Sequence, residues 1–324
     1  MPPDALDFEA PIATLVKQIE ALERLPSSEA RRQEIGSLRQ RVAAVRVDTY
    51  GSLTPWQRVL VARHSSRPGL EAFIEHLFPD FIEIHGDRRF ADDHAVMSGF
   101  ATFRGRPVLV VGHVKGTDTK QKIHRNFGYA RPEGYRKALR AMRLAEKFSR
   151  PVVVIVDTPA AYPGIESEER GVAEAIAANL REMMLLDTSV VVLVSGEGGS
   201  GGALGIAVGD RILMQEYAIY SVIPPEGCAA ILWRDAARKV DAAAALRLTA
   251  PDLLALGVID RVVPEPVGGA HADPLAAAAL VGDALDVALR EVVALDRDTR
   301  LAERYAKFRN MGRAGVDFTD QAAD

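Results

Sequence analysis

Residues 151–210 read PVVVIVDTP (151–159), a loop, a helical segment (168–186), TSVVVLVS (188–195) and GEGGSGGALGIAVGD (196–210). Two nearly continuous β-branched runs with a helix between them are typical of parallel strands buried on both faces. Seven of the chain's 26 glycines lie between Gly196 and Gly209, where the second strand ends and a new helix is predicted to begin. Such a loop admits a ligand close to the backbone and leaves helix-start N–H groups free, so it is the predicted functional centre.

The composition excludes several classes of protein and of binding site. The 324 residues are 48% hydrophobic and 26% charged with a net charge of −4, which favours neither nucleic acid nor a membrane surface as a partner. The single cysteine, Cys228, excludes an intrachain disulfide and a Cys-rich zinc site, and is interpreted as a small buried residue. With no signal-peptide pattern and no apolar run of about 18 residues, the predicted location is the cytoplasm.

The segments before residue 120 predict helices followed by a β-hairpin. Residues 9–46 indicate a helical hairpin, interpreted either as a subunit contact or as helices packed on the chain's own core. Residues 53–90 predict further helices, and residues 95–103 and 107–116 predict two paired strands. The ionisable cluster Asp87–His94 is interpreted as a polar loop with local ion pairs, and no metal site is expected in this chain.

A basic stretch lies between Lys115 and Arg150, with eleven Lys or Arg residues against three acids. Part of it is a predicted helix (133–148) with Leu139, Met142 and Phe148 on its inner side. The stretch is either a solvated helix face or a site for a phosphorylated partner, with RNA a weaker alternative.

After the glycine run the pattern predicts a strand over 211–223, a turn at 224–227 and a strand with a long loop within 256–274. An alanine-rich segment (275–309) predicts one long helix.

Two known sequence motifs match the glycine run. Gly196, Gly198 and Gly201 satisfy the dinucleotide-binding pattern, with Glu216 as its acidic residue, but the match is loose and lies late in the chain. Alternatively, G-x-S-x-G is satisfied around Ser200, with Asp260 and His271 in the chain order of a hydrolase triad. The serine of such a motif is expected at the tight turn directly after the strand, whereas here Gly196 and Glu197 intervene between the predicted strand and the motif.

The third interpretation makes Gly201 and Gly202 an oxyanion hole. Two adjacent backbone N–H groups at a helix start can point at one developing negative oxygen, and the helix dipole adds to their effect. This interpretation requires no side-chain nucleophile.

Several motifs in a fixed order resemble one family. They are LDFEAPIA (6–13), HRNFGYARPEGYRKALR (124–140), DTPAAYPG (157–164), EERG (168–171), GEGGSGGAL (196–204), YSVIPPEGCAAILW (220–233) and VPEPVGGAH (263–271). Together they are similar to the α subunits of the multisubunit acetyl-CoA carboxylase carboxyltransferases of bacteria and plastids, from residue 6 to about Gly312.

The resemblance implies an α/β, crotonase-like fold of repeated strand–strand–helix units. The implied organisation is an N-terminal helical segment (1–50), a carboxyltransferase domain (51–312) and a disordered tail (313–324). It implies transfer of a carboxyl group from carboxybiotin, on the biotin carboxyl carrier protein, to acetyl-CoA, which gives malonyl-CoA for fatty-acid biosynthesis. Biotin is thus the implied cofactor, and ATP is used by the complex at the separate biotin carboxylase, since this chain has no phosphate-binding G-x-x-x-x-G-K-[ST] motif.

The implied partner is a zinc-bearing β subunit, with the active site between α and β in an α2β2 assembly. The family's oxyanion pair falls on Gly201 and Gly202, which would hold the ureido oxygen of biotin as it gains negative charge. Gly198, Gly199 and Ser200 would shape the loop, and three basic residues would help to hold the coenzyme A phosphates: Lys120, Lys122 and Arg125.

One position departs from the family pattern. Ala160 stands where DTPGAYPG is usual, which costs about 1 kcal/mol if its φ is positive and nothing otherwise. Two alternative functions stay open: a carboxyltransferase subunit for another acyl-CoA, and a non-catalytic crotonase-like scaffold.

Overall fold

The computed structural model describes residues 6–312, so the predicted tail (313–324) lies outside the described residues. The helices are α1 (Ala10–Glu23), α2 (Glu29–Gly51), α3 (Pro55–Ala62), α4 (Leu70–Leu77), α5 (Thr119–His124), α6 (Pro132–Lys147), α7 (Ile165–Glu169), α8 (Val172–Leu185), α9 (Ser200–Leu204), α10 (Pro225–Trp233), α11 (Lys239–Ala245), α12 (Ala250–Ala255), α13 (Pro274–Val293) and α14 (Arg297–Asn310). The strands are β1 (Ile82–Glu83), β2 (Val96–Phe103), β3 (Arg106–His113), β4 (Val152–Thr158), β5 (Val190–Gly199), β6 (Arg211–Gln215), β7 (Ile219–Ser221) and β8 (Arg261–Val263).

One sheet joins all eight strands in the order β1-β2-β3-β4-β5-β6-β8, with β7 paired to β5 off this path. The predicted hairpin is confirmed as the antiparallel pair β2 and β3, while β3, β4, β5, β6 and β8 run parallel. Parallel neighbours require crossovers, which the helices between the strands provide.

The two central strands are buried on both faces, as their β-branched runs predict. Val152, Val154 and Val156 face one hydrophobic cluster together with α6 and α8. Val153 and Ile155 face the other cluster, with α4 and α13. The period of two along the strand thus builds a three-layer structure of helix, sheet and helix.

The predicted N-terminal hairpin is confirmed as α1 and α2. Ile12 and Tyr50 are buried in one cluster with Leu53, Val61 and Tyr217, so the hairpin packs on its own chain. A role in subunit contact stays a prediction, as does the domain boundary at residue 50.

The structure divides two of the predicted helices. The helix expected over 168–186 is divided into α7 and α8 at Gly171, whose φ of +77° ends one helix and begins the next. The helix expected over 275–309 is divided into α13 and α14, because Asp296 caps a new helix by accepting from the backbone N–H groups of Asp298 and Thr299.

The region after the glycine run differs most from the sequence prediction. The single strand expected over 211–223 is two strands, β6 and β7, separated by residues 216–218. Both pair with β5, β6 along residues 191–194 and β7 along residues 197–199. The turn expected at 224–227 is the start of α10, where Pro225 occupies the first helical turn that tolerates proline.

The inner face of α6 was also partly mispredicted. Met142 is buried, but Phe148 is 56% exposed and Leu139 is half-buried. The buried face instead runs through Tyr135, Ala138 and further small residues, because the helix packs closely on the sheet.

The polar loop before β2 contains the predicted ion pairs. Asp87 pairs with Arg136 at 2.8 Å, and Asp92 pairs with the fully buried Lys137 at 2.6 Å. Within residues 6–312, no three His, Cys, Asp or Glu side chains come together as metal ligands, and no helix there combines the length and apolar character needed to cross a bilayer.

The C-terminal helix α14 is held to the sheet by one buried arginine. Arg304 pairs with Asp210 at 2.7 Å and donates to the carbonyl oxygens of Met183, Leu186 and Thr188, each at 2.8 Å. Asp210 in turn accepts from the Val190 N–H at the amino end of β5.

We therefore expect Arg304→Met to lower the free energy of unfolding by about 3–5 kcal/mol, because a buried carboxylate loses its partner. Urea unfolding measures the change. Arg39→Met, which breaks the exposed pair with Glu23, is the control and should cost less than about 1 kcal/mol. Equal losses for both variants would contradict the anchoring role of Arg304.

Candidate active site

The carboxyl ends of three parallel strands meet beside the glycine run. β3 is followed by Lys115, β4 ends with Asp157 and Thr158, and β5 ends within the run itself at Gly199. Ligands of open parallel sheets bind outside these ends. The fold thus puts the predicted centre where such a sheet can bind a ligand.

The glycine run packs directly on the backbone of the preceding loop. A Cβ on Gly199 would lie 1.8 Å from the Pro159 carbonyl oxygen, and one on Gly202 would lie 2.3 Å from the Ala161 nitrogen. Neither position has room for a side chain, because the obstacle is backbone. Gly201 differs, since a Cβ there meets only the Ile176 Cδ1 at 3.6 Å.

The helix that follows the run is short, and its first turn has free donors. The first four N–H groups of α9, which include those of Gly201 and Gly202, have no acceptor within the helix. Two buried side chains bind the carbonyl groups of this helix and its end. The Tyr135 hydroxyl donates to the Gly202 carbonyl at 3.3 Å, and the Asn179 amide donates to the Gly205 carbonyl at 2.9 Å.

A cavity of about 340 Å³ opens beside this turn. It is lined by Ser200, Gly201, Leu204, Tyr220, Ser221, Val222, Leu246, Leu253 and Val258. Most of these side chains are apolar, so the cavity suits a ligand with an apolar body and a polar group near α9.

Ser200 occupies a strained backbone position but lacks triad partners. It follows β5 directly with φ of +50°, so the strand is longer than predicted and the positional argument against a nucleophile does not hold. However, the Asp260 carboxylate is bound by Lys307 and by the Ile212 N–H. His271 stacks on His64 with ring centroids 3.9 Å apart, so the predicted triad does not form.

The dinucleotide interpretation also fails on geometry. Glu216 lies in the turn between β6 and β7, where its carboxylate accepts from the Glu265 backbone N–H at 3.3 Å. The sheet has an antiparallel hairpin on one side and no symmetrical second half, unlike the fold that carries that fingerprint.

The structure reveals a charged group that the sequence prediction missed. Lys115 bridges Asp157 and Glu197, at 2.6 and 2.7 Å, and Arg63 joins Glu197 to Glu226, both at 2.6 Å. The one signal in the sequence was a lone glutamate inside a run of glycines.

Five of the eleven Lys and Arg residues in the basic stretch form internal ion pairs: Lys115, Arg125, Arg136, Lys137 and Arg143. Arg125 pairs with Glu71 at 2.7 Å, and Arg143 pairs with Glu182 at 2.8 Å. The stretch is therefore neither a plain solvated face nor a continuous phosphate site. Lys120 is exposed, and Lys122 lines a separate cavity of about 700 Å³ that Lys115 also borders.

Two smaller expectations have clear outcomes. Cys228 is 6% exposed and lies in a small apolar cluster, as predicted. Ala160 is not among the residues with positive φ, so the alanine at this position causes no backbone strain.

His113, at the end of β3, is buried next to this site. It is 1% exposed, and neither ring nitrogen has a hydrogen-bond partner. Burial lowers the pKa of His113 to about 3, Lys115 adds to the effect, and the backbone of Gly202 opposes it. The ring is therefore neutral near pH 7.

The chain is similar to one known family over nearly its whole length. A family profile described as "Acetyl co-enzyme A carboxylase carboxyltransferase-like" matches residues 5–312. Relatives named acetyl-coenzyme A carboxylase carboxyl transferase subunit alpha include those of Geobacter metallireducens, 52% identical over 95% of this chain and 97% of the relative, and Phenylobacterium zucineum, 51% identical over 96% and 98%.

Solved structures with the same fold are more distant in sequence. A Pseudomonas malonate decarboxylase hetero-tetramer in complex with coenzyme A has a chain that matches with a TM-score of 0.58 at 19% identity, over 78% of this chain and 94% of that chain. The transcarboxylase 12S matches with a TM-score of 0.57 at 19% identity, over 71% and 42%. These likenesses show the predicted crotonase-like fold.

The different surroundings of the two glycines give a first prediction for the site. Gly202→Ala should lower the free energy of unfolding by about 1–3 kcal/mol, because the Cβ collides with backbone. Gly201→Ala should leave it unchanged or raise it by up to about 1 kcal/mol, because alanine favours a helix and the space is open. Urea unfolding measures the free energy of unfolding of both variants. Equal changes in the two variants would contradict the described packing.

His113 gives a second prediction, on pH. The unfolded chain protonates this histidine near pH 6.5 whereas the folded chain does so near pH 3, so stability is lost as the pH falls below 6.5. Between pH 7 and pH 5 the wild type should lose about 2 kcal/mol more than His113→Gln.

The exposed His76 offers the matched control for this experiment. His76→Gln removes a surface histidine and should retain the wild-type difference between pH 7 and pH 5. Urea unfolding at the two pH values measures both variants, and a wild-type loss in His113→Gln would show that His113 is not the group responsible.

Proposed function

Because the chain belongs to the acetyl-coenzyme A carboxylase carboxyltransferase family, we propose that the glycine run of this subunit supplies the oxyanion donors of the carboxyl transfer. The family predicted from the motifs is confirmed, with a match over residues 5–312 and relatives more than 50% identical. The chain is the α subunit of a biotin-dependent carboxyltransferase. Its reaction moves a carboxyl group from carboxybiotin to acetyl-CoA to give malonyl-CoA, the first committed step of fatty-acid biosynthesis.

The proposed donors are the backbone N–H groups of Gly201 and Gly202. Both belong to the first turn of α9, where N–H groups lack partners and the helix dipole favours negative charge. Donors fixed before the reaction stabilise a developing negative oxygen without reorganisation. The close packing of Gly202 on Ala160 and Ala161 fixes the turn, and this contact is the observation that carries the proposal.

Biotin, carried on a partner protein, brings the carboxyl group to the site on a ureido nitrogen. The 340 Å³ cavity would accept its rings, because Leu204, Tyr220 and Val222 provide an apolar lining and Gly201 borders the same space. In this arrangement the chain binds and orients the ring, and α9 holds the ureido oxygen. Gly198, Gly199 and Ser200 fix the course of the backbone into the helix.

The proposed contacts with coenzyme A phosphates need revision within this subunit. Lys120 and Lys122 keep that role, because Lys120 is exposed and Lys122 borders a cavity. Arg125 is already bound to Glu71 and to the His94 carbonyl, so it orders this segment and contributes less to phosphate binding.

The site needs a partner subunit to be complete. The family's α naming implies a β subunit, and we propose that it carries the zinc, supplies the second oxyanion hole for the acyl enolate and forms an α2β2 assembly with this chain. The biotin carboxyl carrier protein and biotin carboxylase, where the complex uses ATP, complete the proposed set of partners. A cytoplasmic location and the division at residue 50 are part of the same proposal.

The experiment mixes this chain with a purified β subunit and measures malonyl-CoA-dependent carboxylation of free biotin. We expect activity only with both subunits. Activity with a different carboxylated acyl-CoA but not with malonyl-CoA would support the alternative substrate, and no activity with either would support the non-catalytic scaffold.

The oxyanion donors are tested by exchanging a single N–H for an ester oxygen. Glycolic acid in place of Gly201 should lower kcat by about 10²–10³-fold, because one oxyanion donor is lost. The matched control is glycolic acid in place of Gly227, another glycine in the first turn of a helix, α10. A fall in kcat of less than about tenfold at Gly201, or the same fall at Gly227, would exclude the assignment.

Ser200 is tested separately. Ser200→Ala should keep carboxyl transfer within about threefold of wild type, because the proposed chemistry uses no hydroxyl nucleophile. Loss of activity in a folded Ser200→Ala complex would show that the serine hydroxyl takes part in the reaction.

A further inference from the structure

Strand β5 contains a bulge where the glycine run begins. β4 and β5 pair through Val156 and Val194 and pair again through Thr158 and Gly198. Between these pairs β4 has one residue and β5 has three. A bulge bends its strand and changes the direction of the residues that follow, so the course of the run depends on how the bulge is held.

Each of the three bulge residues is held by a named contact. The Ser195 carbonyl accepts from Arg67 Nε at 2.6 Å. Gly196 lies against the Asp157 carboxylate, where a Cβ would be only 2.4 Å from Oδ1. The Glu197 N–H donates to the same Asp157 oxygen at 2.9 Å. Asp157, the one opposing residue on β4, therefore fills the bulge with its side chain.

The side chains around the bulge form a continuous row of ion pairs, which we call the bulge cluster. It consists of Arg63, Lys115, Asp157, Glu197 and Glu226, joined in the order Asp157, Lys115, Glu197, Arg63 and Glu226. The members come from α10, the strands β4 and β5, and the residues just after α3 and β3. The side chains of Glu197 and Asp157 are only 10% and 12% exposed.

Lys115 and Glu197, at the centre of the cluster, keep their charges across the physiological range. Burial alone would lower the pKa of Lys115, but the carboxylates of Asp157 and Glu197 outweigh it, so this pKa lies above its usual value. Burial would raise the pKa of Glu197, but Lys115 and Arg63 outweigh it, so this pKa lies below its usual range. Charged pairs with such short contacts fix geometry more tightly than neutral hydrogen bonds.

We infer that the bulge cluster positions the Gly198–Gly202 backbone, with Lys115 as its central positioning residue. The inference rests on the proposed function and adds to it a set of side chains that act through the backbone. Glu197 is four residues from Gly201, so a shift of the bulge is transmitted directly to the donors. A misplacement of about 1 Å at a reacting centre can cost about 10²-fold in rate.

The test uses Lys115→Met in the complex with the β subunit. We expect kcat to fall about 10²-fold while KM for malonyl-CoA stays within about twofold, because an interaction that acts on the transition state lowers kcat without changing KM. Lys115→Arg should recover at least tenfold of the lost rate, because a guanidinium can also bridge two carboxylates.

A matched variant separates positioning from general stability. Lys137, a fully buried lysine on α6, lies outside the bulge cluster and pairs with Asp92 at 2.6 Å. Lys137→Met should lower the unfolding temperature as Lys115→Met does, yet keep kcat within about twofold of wild type at a temperature where both are folded. The inference is wrong if the two variants lose the same activity, or if Lys115→Arg is as slow as Lys115→Met.

A second variant covers the case in which Lys115→Met does not fold. Glu197→Gln keeps the shape and neutral hydrogen bonds, and should lower kcat about tenfold with KM unchanged; kcat within twofold of wild type would overturn the inference. The experiment distinguishes failure of the proposed function from failure of the inference about the bulge cluster. An inactive wild-type complex contradicts the proposed function, whereas an active wild type with an unimpaired Lys115→Met contradicts only the bulge cluster.

Discussion

The backbone of residues 199–202 lies against the backbone of residues 159–161 with no side chain between them. This contact requires that β4 and β5 be parallel neighbours, because only then do their carboxyl ends and the loops beyond them meet. It requires glycine at Gly199 and Gly202 but not at Gly201, where a side chain would have room. The helices α6 and α8, which cover this end of the sheet, provide the tyrosine and asparagine that hold the short helix from its other side.

Charge is organised differently at the two ends of β5. At the amino end, Arg304 and Asp210 form a fully buried pair that attaches the C-terminal helix to the sheet. At the carboxyl end, lysine, arginine and three carboxylates form a row that is partly open to solvent, with Arg63 28% exposed. Buried ion pairs contribute little net stability, because desolvation offsets their attraction. Their effect at the carboxyl end is to determine where the backbone lies.

The sequence predicted the centre of this fold better than its periphery. The runs around Val152 and Val190 are long, β-branched and bounded by loops, so the buried parallel strands could be assigned from pattern alone. The division of the last long helix could not, because residues on both sides of Asp296 favour a helix, and a cap depends on backbone geometry. The bulge cluster was missed for a related reason: Lys115 and Glu197 are 82 residues apart, and only the paired strands bring them together.

The tight packing at Gly202 has a consequence for how such a site varies over generations. Every amino acid except proline carries a peptide N–H, so no single exchange among the others can remove the proposed donor itself. An exchange can instead add a side chain that collides with the backbone of residues 160 and 161. Natural selection at this position therefore acts on the volume of the side chain and not on its functional group. The proposed donor keeps its place only while residue 202 has no side chain.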